Sequence, residues 1–206
     1  MSIIIKNIKG LIQILDKSIE RVSGQDMAKL NSISNAWLLI ENGLIADFGE
    51  MSQMPNLQNE EVIDATGKFV MPTWVDSHTH LVFAGSRETE FVDKIKGLSY
   101  EEIGARGGGI YNSAALLRQT SEEDLLEQSL KRAKEIIATG TGVVEIKSGY
   151  GLTTEAEMKM LRVAKRIAEL TDLEVKTTFL GAHAIPRDKK REEYIQQIKY
   201  EMLPAV

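Results

Sequence analysis

The sequence feature that most constrains the fold is an alternation, beginning near residue 66, between short apolar runs and long amphipathic helical patterns. The apolar runs predict three strands, at residues 69–75, 142–146 and 173–180. Strands that alternate with helices pair in parallel and are joined by right-handed crossovers. The predicted fold class is therefore α/β, either an open doubly wound sheet or the beginning of a TIM-type β/α barrel.

Local signals place helices between and after these strands. Ser121, followed by an acidic turn, predicts a helix start, and Gly140 predicts the end of the same helix. Thr154 with Glu157 three residues later fits a capping box at the start of a second helix. A third helix is predicted over residues 188–202. These signals together predict three βα units in succession.

The first 65 residues have a different pattern, with shorter apolar runs and turn-forming residues between them. Glu41-Asn42-Gly43 is one such turn, and the charge-rich residues 16–35 predict a long loop. The apolar runs predict strands at residues 3–5, 11–15, 36–40 and 44–48. We therefore expect a small β-domain over residues 1–65, followed by the βα units over residues 66–206.

Charge and composition narrow the classes of function. The formal net charge is −5, from 25 basic and 30 acidic side chains, which gives no electrostatic reason to expect nucleic acid or an anionic membrane as a partner. The chain has no cysteine, so disulfides, thiolate nucleophiles and zinc ribbons are excluded. A small-molecule partner is expected, and a metal ion would need His, Asp or Glu ligands.

Targeting signals are also not expected. Lys6 and Lys9 interrupt the isoleucine-rich start of the chain, which predicts a strand rather than a signal peptide. The apolar runs stay shorter than the roughly 18 residues of a membrane span. A cytoplasmic location is the expectation.

The three histidines all follow predicted parallel strands. His78 and His80 lie at the end of the first strand, and because side chains alternate along a strand they point the same way and can reach one metal ion. Asp76 adds a carboxylate that can orient the backbone or a histidine. A surface pair is the alternative for the His-x-His motif alone. His183, which follows the third strand, favours a shared site at the carboxyl ends of the strands.

Other polar residues near the strand ends have two interpretations each. Arg87 can bind a carboxylate with its planar fork, or it is a solvated loop charge. Tyr150, in a glycine-containing loop after the second strand, can present its hydroxyl to a ligand, or it packs on a rim. Lys147 can act as a base or Schiff-base lysine, but an ion-paired lysine is favoured. Glu145 and Glu88 are acid–base candidates that no spacing supports.

The glycine-rich segment RGGGI, residues 106–110, does not match a phosphate-binding motif. It follows a loop rather than a strand, and the lysine and hydroxyl of a P-loop are missing. A flexible active-site loop or a plain turn is favoured over a phosphate cradle.

Several segments resemble one known family. VMPTWVDSHTHLVFAGSRETEF is similar to the first barrel strand of the amidohydrolase superfamily. RVSGQDM, ARGGGI, TGVVEIKSGYGL and FLGAHAIP occur in matching order and narrow the resemblance to the imidazolonepropionase family, over nearly the whole chain. That family opens the ring of 4-imidazolone-5-propanoate to N-formimidoyl-L-glutamate in histidine degradation.

The resemblance implies roles for individual residues. His78 and His80 would be ligands of one metal ion, zinc or iron, while Arg87, Tyr150 and His183 would contact the substrate, with His183 also catalytic. Full-length members are longer than this chain and place a further histidine ligand, a glutamate and an aspartate on later strands. The chain would thus be an N-terminal half with an incomplete barrel, inactive by itself, and a homodimer is expected only at full length.

Two alternatives remain open at this point. The chain could come from another amidohydrolase, such as a cyclic-amide hydrolase or a nucleobase deaminase, because the His-x-His motif is shared across the superfamily. It could also be a half-barrel that binds a partner without catalysis.

Overall fold

The computed structural model describes residues 2–15, 19–56 and 61–206. Its contacts divide the chain into two compact units, Met1–Pro72 and Thr73–Val206. The strands of the first unit are β1 (Ser2–Ile12), β2 (Ser32–Glu41), β3 (Leu44–Glu50), β4 (Glu61–Asp64) and β5 (Phe69–Val70).

The first unit is a single sheet built around β1. The strand order is β3-β2-β1-β4, and β5 also pairs with β1. The β1–β2 and β2–β3 pairs are antiparallel, whereas β4 and β5 run parallel to β1. Asn42 and Gly43 join β2 to β3 with φ values of 52° and 79°, the left-handed conformation that a two-residue hairpin turn requires. The predicted turn is thereby confirmed.

Two strand predictions in this unit were wrong in extent. Residues 3–5 and 11–12 belong to the one strand β1, which ends at Ile12, so residues 13–15 of the second predicted run are not strand. The predicted loop over residues 16–35 is too long, because β2 begins at Ser32 and Gly24–Ala28 forms a short 3-10 helix. Residues 16–18 of that prediction lie outside the described residues. Two clusters of buried side chains pack on the sheet: one consists of Ile8, Leu11, Ala36, Leu38 and Ala65, and the other consists of Ile4, Trp37 and Leu39.

The second unit holds a parallel sheet of three strands in the order β6-β7-β8. Its elements, in chain order, are β6 (Trp74–Thr79), α1 (Glu88–Ile95), α2 (Tyr100–Ala105), α3 (Ile110–Gln119), α4 (Glu122–Ala138), β7 (Thr141–Lys147), α5 (Thr154–Leu170), β8 (Glu174–Thr178), α6 (Arg191–Gln197) and α7 (Leu203–Ala205). The predicted α/β class with parallel strands is confirmed.

The predicted strand at residues 69–75 was wrong. Phe69 and Val70 pair with β1 in the first unit, and the strand that leads to the histidines begins at Trp74. Pro72, which has no backbone N–H to donate to a sheet, lies between the two strands. The third predicted strand is also shorter than expected, since β8 ends at Thr178.

Of the two helix starts that the sequence predicted from capping residues, one is confirmed and one was wrong. Ser121 begins α4 by accepting a hydrogen bond from the backbone N of Asp124 (3.1 Å), as predicted. The capping box at Thr154 and Glu157 was wrong, because Thr153 precedes α5 and its hydroxyl accepts from Ala156 N (3.3 Å). Glu157 turns instead toward the loop before the helix.

Two stretches differ from the helices that the sequence predicted. The helices α1, α2 and α3 were not predicted at all. The predicted helix over residues 188–202 corresponds to α6, which starts at Arg191 and continues through a π-helical turn, Ile198–Met202, into α7.

Burial of α4 and α5 against β7 positions the carboxyl ends of the strands. The core between them includes Leu125, Ala133, Val144, Met160 and Ile167, each no more than 1% exposed. Each of the larger side chains contributes roughly 1.5–3 kcal/mol by its burial. The strand ends are thus held on a rigid base. No helix within the described ranges combines the length and the apolar character that crossing a membrane requires.

Candidate functional site

Residues at the carboxyl ends of the three parallel strands converge on one point. His80 directly follows β6, Tyr150 follows β7, and His183 follows β8 in a short 3-10 turn. The His80 ring stacks on Tyr150 with centroids 4.6 Å apart and planes 19° apart, and it meets His183 edge-on at 5.2 Å. His78, on β6, lies 5.8 Å from His80. The structure thus brings together the three histidines and the tyrosine that the sequence singled out.

His80 has the properties of a neutral imidazole with a free ring nitrogen. Its Nδ1 atom is buried and has no hydrogen-bond partner among the described residues. Burial lowers the pKa of His80, and the nearby His183 and His78 lower it further. A neutral imidazole with an available nitrogen is the form that ligates metals.

The rest of a metal site is not contained in the described part of the chain, where no cluster of three or more His, Asp or Glu side chains could hold an ion. Asp76 accepts a hydrogen bond from the backbone N of His78 (3.2 Å), which matches its predicted role as a backbone acceptor. His78 and His80 therefore fit part of a ligand set.

The loop that presents Tyr150, residues 148–152, is held by a buried glutamate. Glu157, fully buried in the first turn of α5, accepts hydrogen bonds from the backbone N atoms of Gly149 (2.8 Å), Gly151 (2.8 Å) and Leu152 (2.9 Å). Sequence reasoning missed this role because it assigned Glu157 to a cap. The available signal was a glutamate in the first helical turn after a glycine-containing loop.

The turn that carries His183 is fixed from two sides. The hydroxyl of Ser148 accepts from Leu180 N (2.9 Å), and the hydroxyl of Tyr194, on α6, donates to the carbonyl of Gly181 (2.6 Å). Burial raises the pKa of Tyr194 to about 12, with a further contribution from the nearby Glu157. The hydroxyl therefore stays protonated and keeps donating at neutral pH.

Arg87, which directly precedes α1, is held by the carboxylate of Glu90 in the first turn of that helix. Its Nε donates to Glu90 Oε2 (2.8 Å) and its Nη2 donates to the same oxygen. The other oxygen of Glu90 accepts from the backbone N of Gly109 (2.9 Å). Arg87 and this N–H both lower the pKa of Glu90. The glycine-rich segment is therefore anchored to Arg87 through Glu90, which supports an active-site loop over a phosphate cradle.

A cavity of about 380 Å³ lies in front of this cluster. It is lined by His80, Phe83, Gly85, Ser86, Arg87, Ser113, Arg132 and Tyr150. Two arginines and one histidine thus line the same space, and the positive charge of the arginines suits a small anion. His183 touches the His80 and Tyr150 rings but does not line the cavity itself.

Arg132 is a cavity residue that sequence reasoning missed. It donates to the carbonyls of Leu81 (2.9 Å) and Phe83 (2.7 Å), and its guanidinium lies 3.8 Å from the centroid of the Phe83 ring. Burial lowers its pKa, yet an arginine remains charged at neutral pH. Arg132 therefore fixes the segment that directly follows His80.

The remaining acid–base candidates, Lys147, Glu145 and Glu88, do not line the cavity. Lys147 forms an ion pair with Glu145, which also accepts a hydrogen bond from the hydroxyl of Thr178 (2.6 Å). This matches the favoured interpretation of Lys147 as an ion-paired lysine. Glu88 is exposed at the start of α1 and does not line the cavity.

Comparison with known proteins gives close relatives. An imidazolonepropionase from Christiangramia forsetii is 58% identical, across 100% of this chain and 51% of that protein. One from Flavobacterium psychrophilum is 56% identical with the same coverage. The chain spans about half the length of the curated relatives it matches. No family model matches the chain.

Solved structures confirm the type of fold. A variant of the atrazine chlorohydrolase of Arthrobacter aurescens TC1, complexed with zinc and atraton, superposes with a TM-score of 0.59 at 14% identity, covering 96% of this chain and 43% of that one. A likeness at this identity concerns the fold alone. Over its whole length the chain is therefore similar in sequence to about half of an imidazolonepropionase, the resemblance that its motifs predicted.

Proposed function

We propose that this chain forms the amino-terminal part of an imidazolonepropionase, which hydrolyses the cyclic amide of 4-imidazolone-5-propanoate to N-formimidoyl-L-glutamate. The observation that carries the proposal is the stacking of Tyr150 on His80 beside a cavity that Arg87 also lines. The identity to imidazolonepropionases over the full chain supports the same activity.

We propose His78 and His80 as ligands of one metal ion, zinc or iron. The unpartnered Nδ1 of His80 and the neutral state of its ring support this assignment. When bound, such an ion would polarise a carbonyl and supply a hydroxide at neutral pH. The further ligands would come from residues that the described part of the chain does not contain.

Arg87 is proposed to bind the propanoate group of the substrate. Its side chain is 45% exposed and borders the cavity, while Glu90 holds it from the other side. A guanidinium oriented in this way can offer its remaining N–H groups to a carboxylate. Arg132 lines the same cavity and adds positive potential for an anionic substrate.

Tyr150 and His183 are proposed to act on the ring of the substrate. The Tyr150 hydroxyl can donate a hydrogen bond to an oxygen that gains negative charge as the amide is attacked. The His183 imidazole can accept or donate a proton, and its contacts with His80 and Tyr150 keep it beside the reacting group. These roles rest on proximity and on side-chain chemistry.

The architecture is proposed to be a small β-domain followed by the first three βα units of a β/α barrel. The parallel sheet β6-β7-β8 supports this architecture. On the edge strand β6, Trp74 is 61% exposed and Val75 is 68% exposed, and further strands or helices would bury these apolar side chains. The predicted boundary at residue 65 stays a prediction, as do the cytoplasmic location and a homodimer at full length.

The test of the proposed function is the substitution Arg87→Ala in the full-length natural protein. We expect kcat/KM for 4-imidazolone-5-propanoate to fall by about 10- to 100-fold, because one charged hydrogen-bonding partner of the substrate is lost. A substrate analogue whose carboxylate is replaced by a neutral amide should lose little. Arg191→Ala, an exposed arginine outside the cavity, is the matched control.

Equal losses for the acid and the amide would refute the role of Arg87. Turnover of a nucleobase or of a different cyclic amide, without turnover of imidazolonepropanoate, would favour another amidohydrolase. Absence of any hydrolysis by the metal-loaded protein would favour a binding module.

A further inference from the structure

We infer that Glu157 is a positioning residue of this site, which sets the conformation of the loop 148–152 and thereby the placement of Tyr150 against His80. Its kinetic consequence rests on the proposed function, whereas its structural consequence does not. Glu157 itself does not line the cavity and has no contact with the space where a substrate would bind.

The first step of the argument is the kind of partner that Glu157 has. It is fully buried, and none of the salt bridges among the described residues involves it. Its partners are instead three backbone N–H groups of one loop, at Gly149, Gly151 and Leu152. A buried carboxylate is costly unless it is well hydrogen-bonded, so these three bonds account for its presence.

The second step is why the loop needs this partner. Gly149 has a φ of 113° and Leu152 a φ of 57°, so the loop has neither helical nor extended conformation at these residues. Its N–H groups therefore cannot pair within a sheet or helix and must find another acceptor. A carboxylate only accepts, whereas a glutamine would present an NH₂ group to the same donors.

The third step links the loop to the site. Tyr150 lies between two residues whose N–H groups are bound by Glu157, and its ring stacks on His80. On the other side, a Cβ at Gly149 would lie 3.0 Å from the Cβ of His183, so the loop packs directly against that histidine. A loop released from Glu157 would therefore move Tyr150 away from its stacking position.

The inference is tested with Glu157→Gln in the full-length protein, labelled with 3-fluorotyrosine and studied by ¹⁹F NMR. The Tyr150 resonance is assigned with Tyr150→Phe, and the exposed Tyr200 serves as the internal reference. We expect the Tyr150 resonance to shift or broaden in Glu157→Gln while the Tyr200 resonance stays in place. We also expect KM for imidazolonepropanoate to rise on the order of tenfold, because buried hydrogen bonds to a charged group are lost.

Glu155→Gln is the matched control, since Glu155 is an exposed glutamate in the same helical turn. It should change neither the Tyr150 resonance nor KM. If Glu157→Gln does not fold, Glu157→Asp replaces it; this variant keeps the charge but is one methylene shorter, and the Tyr150 resonance should again change.

A folded Glu157→Gln or Glu157→Asp variant with an unaltered Tyr150 resonance overturns the inference. A control that shifts the resonance as much as Glu157→Gln also overturns it. If the wild-type protein does not hydrolyse imidazolonepropanoate, the proposed function fails, and the NMR comparison still decides the role of Glu157.

Discussion

The link between Arg87, Glu90 and Gly109 supports a quantitative prediction about stability. Glu90 lies in the first turn of α1 and is only 8% exposed. One of its oxygens accepts two hydrogen bonds from Arg87, and the other accepts the backbone N–H of the buried Gly109 at 2.9 Å. We predict that Glu90→Gln and Glu90→Ala destabilise the protein by different amounts.

The magnitudes follow from these contacts. The Arg87 side chain is 45% exposed, so solvent screens its ion pair with Glu90, which contributes about 0.5–1 kcal/mol. A glutamine keeps an acceptor for Gly109 but loses the charge, so Glu90→Gln should cost about 1–2 kcal/mol in total. Glu90→Ala leaves the Gly109 N–H buried without a partner, which raises the cost to about 2–4 kcal/mol.

The contribution of Glu90 to the free energy of unfolding also depends on pH. The pKa of Glu90 lies below its ordinary value in the folded protein, first because of the hydrogen bond from Arg87. The stabilisation by the charged carboxylate is therefore present above the unfolded pKa and is lost as the pH falls through the folded pKa. Glu90→Gln should remove this part of the acid sensitivity.

Urea unfolding of the full-length protein, monitored by tryptophan fluorescence between pH 3 and 7, measures both effects. Glu88→Gln is the control, because Glu88 is exposed on the same helix and its loss should change the free energy of unfolding by less than about 0.5 kcal/mol. If Glu90→Ala is no more destabilising than Glu88→Gln, the assignment of Glu90 as the link between Arg87 and the glycine-rich segment is refuted.

Two further predictions concern Tyr194 and the chain by itself. The pKa of Tyr194 is raised to about 12 in the folded protein, so the stabilisation by its protonated hydroxyl is complete below pH 10. This stabilisation is lost as the pH rises toward 12, by at most about 3 kcal/mol. Tyr194→Phe should reduce this alkaline loss of stability in urea titrations, and an unchanged pH dependence would contradict the prediction. A polypeptide of residues 1–206 should bind zinc weakly and not open the ring of imidazolonepropanoate, and one tightly held metal per chain with turnover would disprove this.

The candidate site was predictable from the sequence where its residues directly follow strands. His80, Tyr150 and His183 each come just after an apolar run, and parallel strands bring their carboxyl ends together. Their convergence follows from strand order alone, which is why the ring contacts agree with the prediction. For Arg87 the sequence pattern left two interpretations open, a carboxylate-binding residue and a solvated loop charge, and only the resemblance favoured the first, because no periodicity describes the loop in which Arg87 lies.

The residues that support the site were not predictable in the same way. Glu157 has the spacing of a helix cap, and Arg132 has the spacing of an exposed helical residue. Their actual partners are backbone groups outside the helix of each residue: loop N–H groups five to eight residues away for Glu157, and the carbonyl of Leu81, 51 residues away, for Arg132. A local pattern contains no information about which backbone groups a folded loop leaves without partners.

The division of strands between the two sheets also depended on tertiary structure. The sequence by itself determined the α/β class and the parallel order of three strand–helix units. It also placed the three histidines at the carboxyl ends of the strands. Hydrophobic periodicity and chain connectivity are sufficient for these conclusions. Only the tertiary structure decided that Phe69 pairs with β1 while Trp74 starts the next sheet, and that buried Glu157 holds the Tyr150 loop. Both outcomes depend on which hydrogen-bonding groups remain unpaired once distant segments pack together.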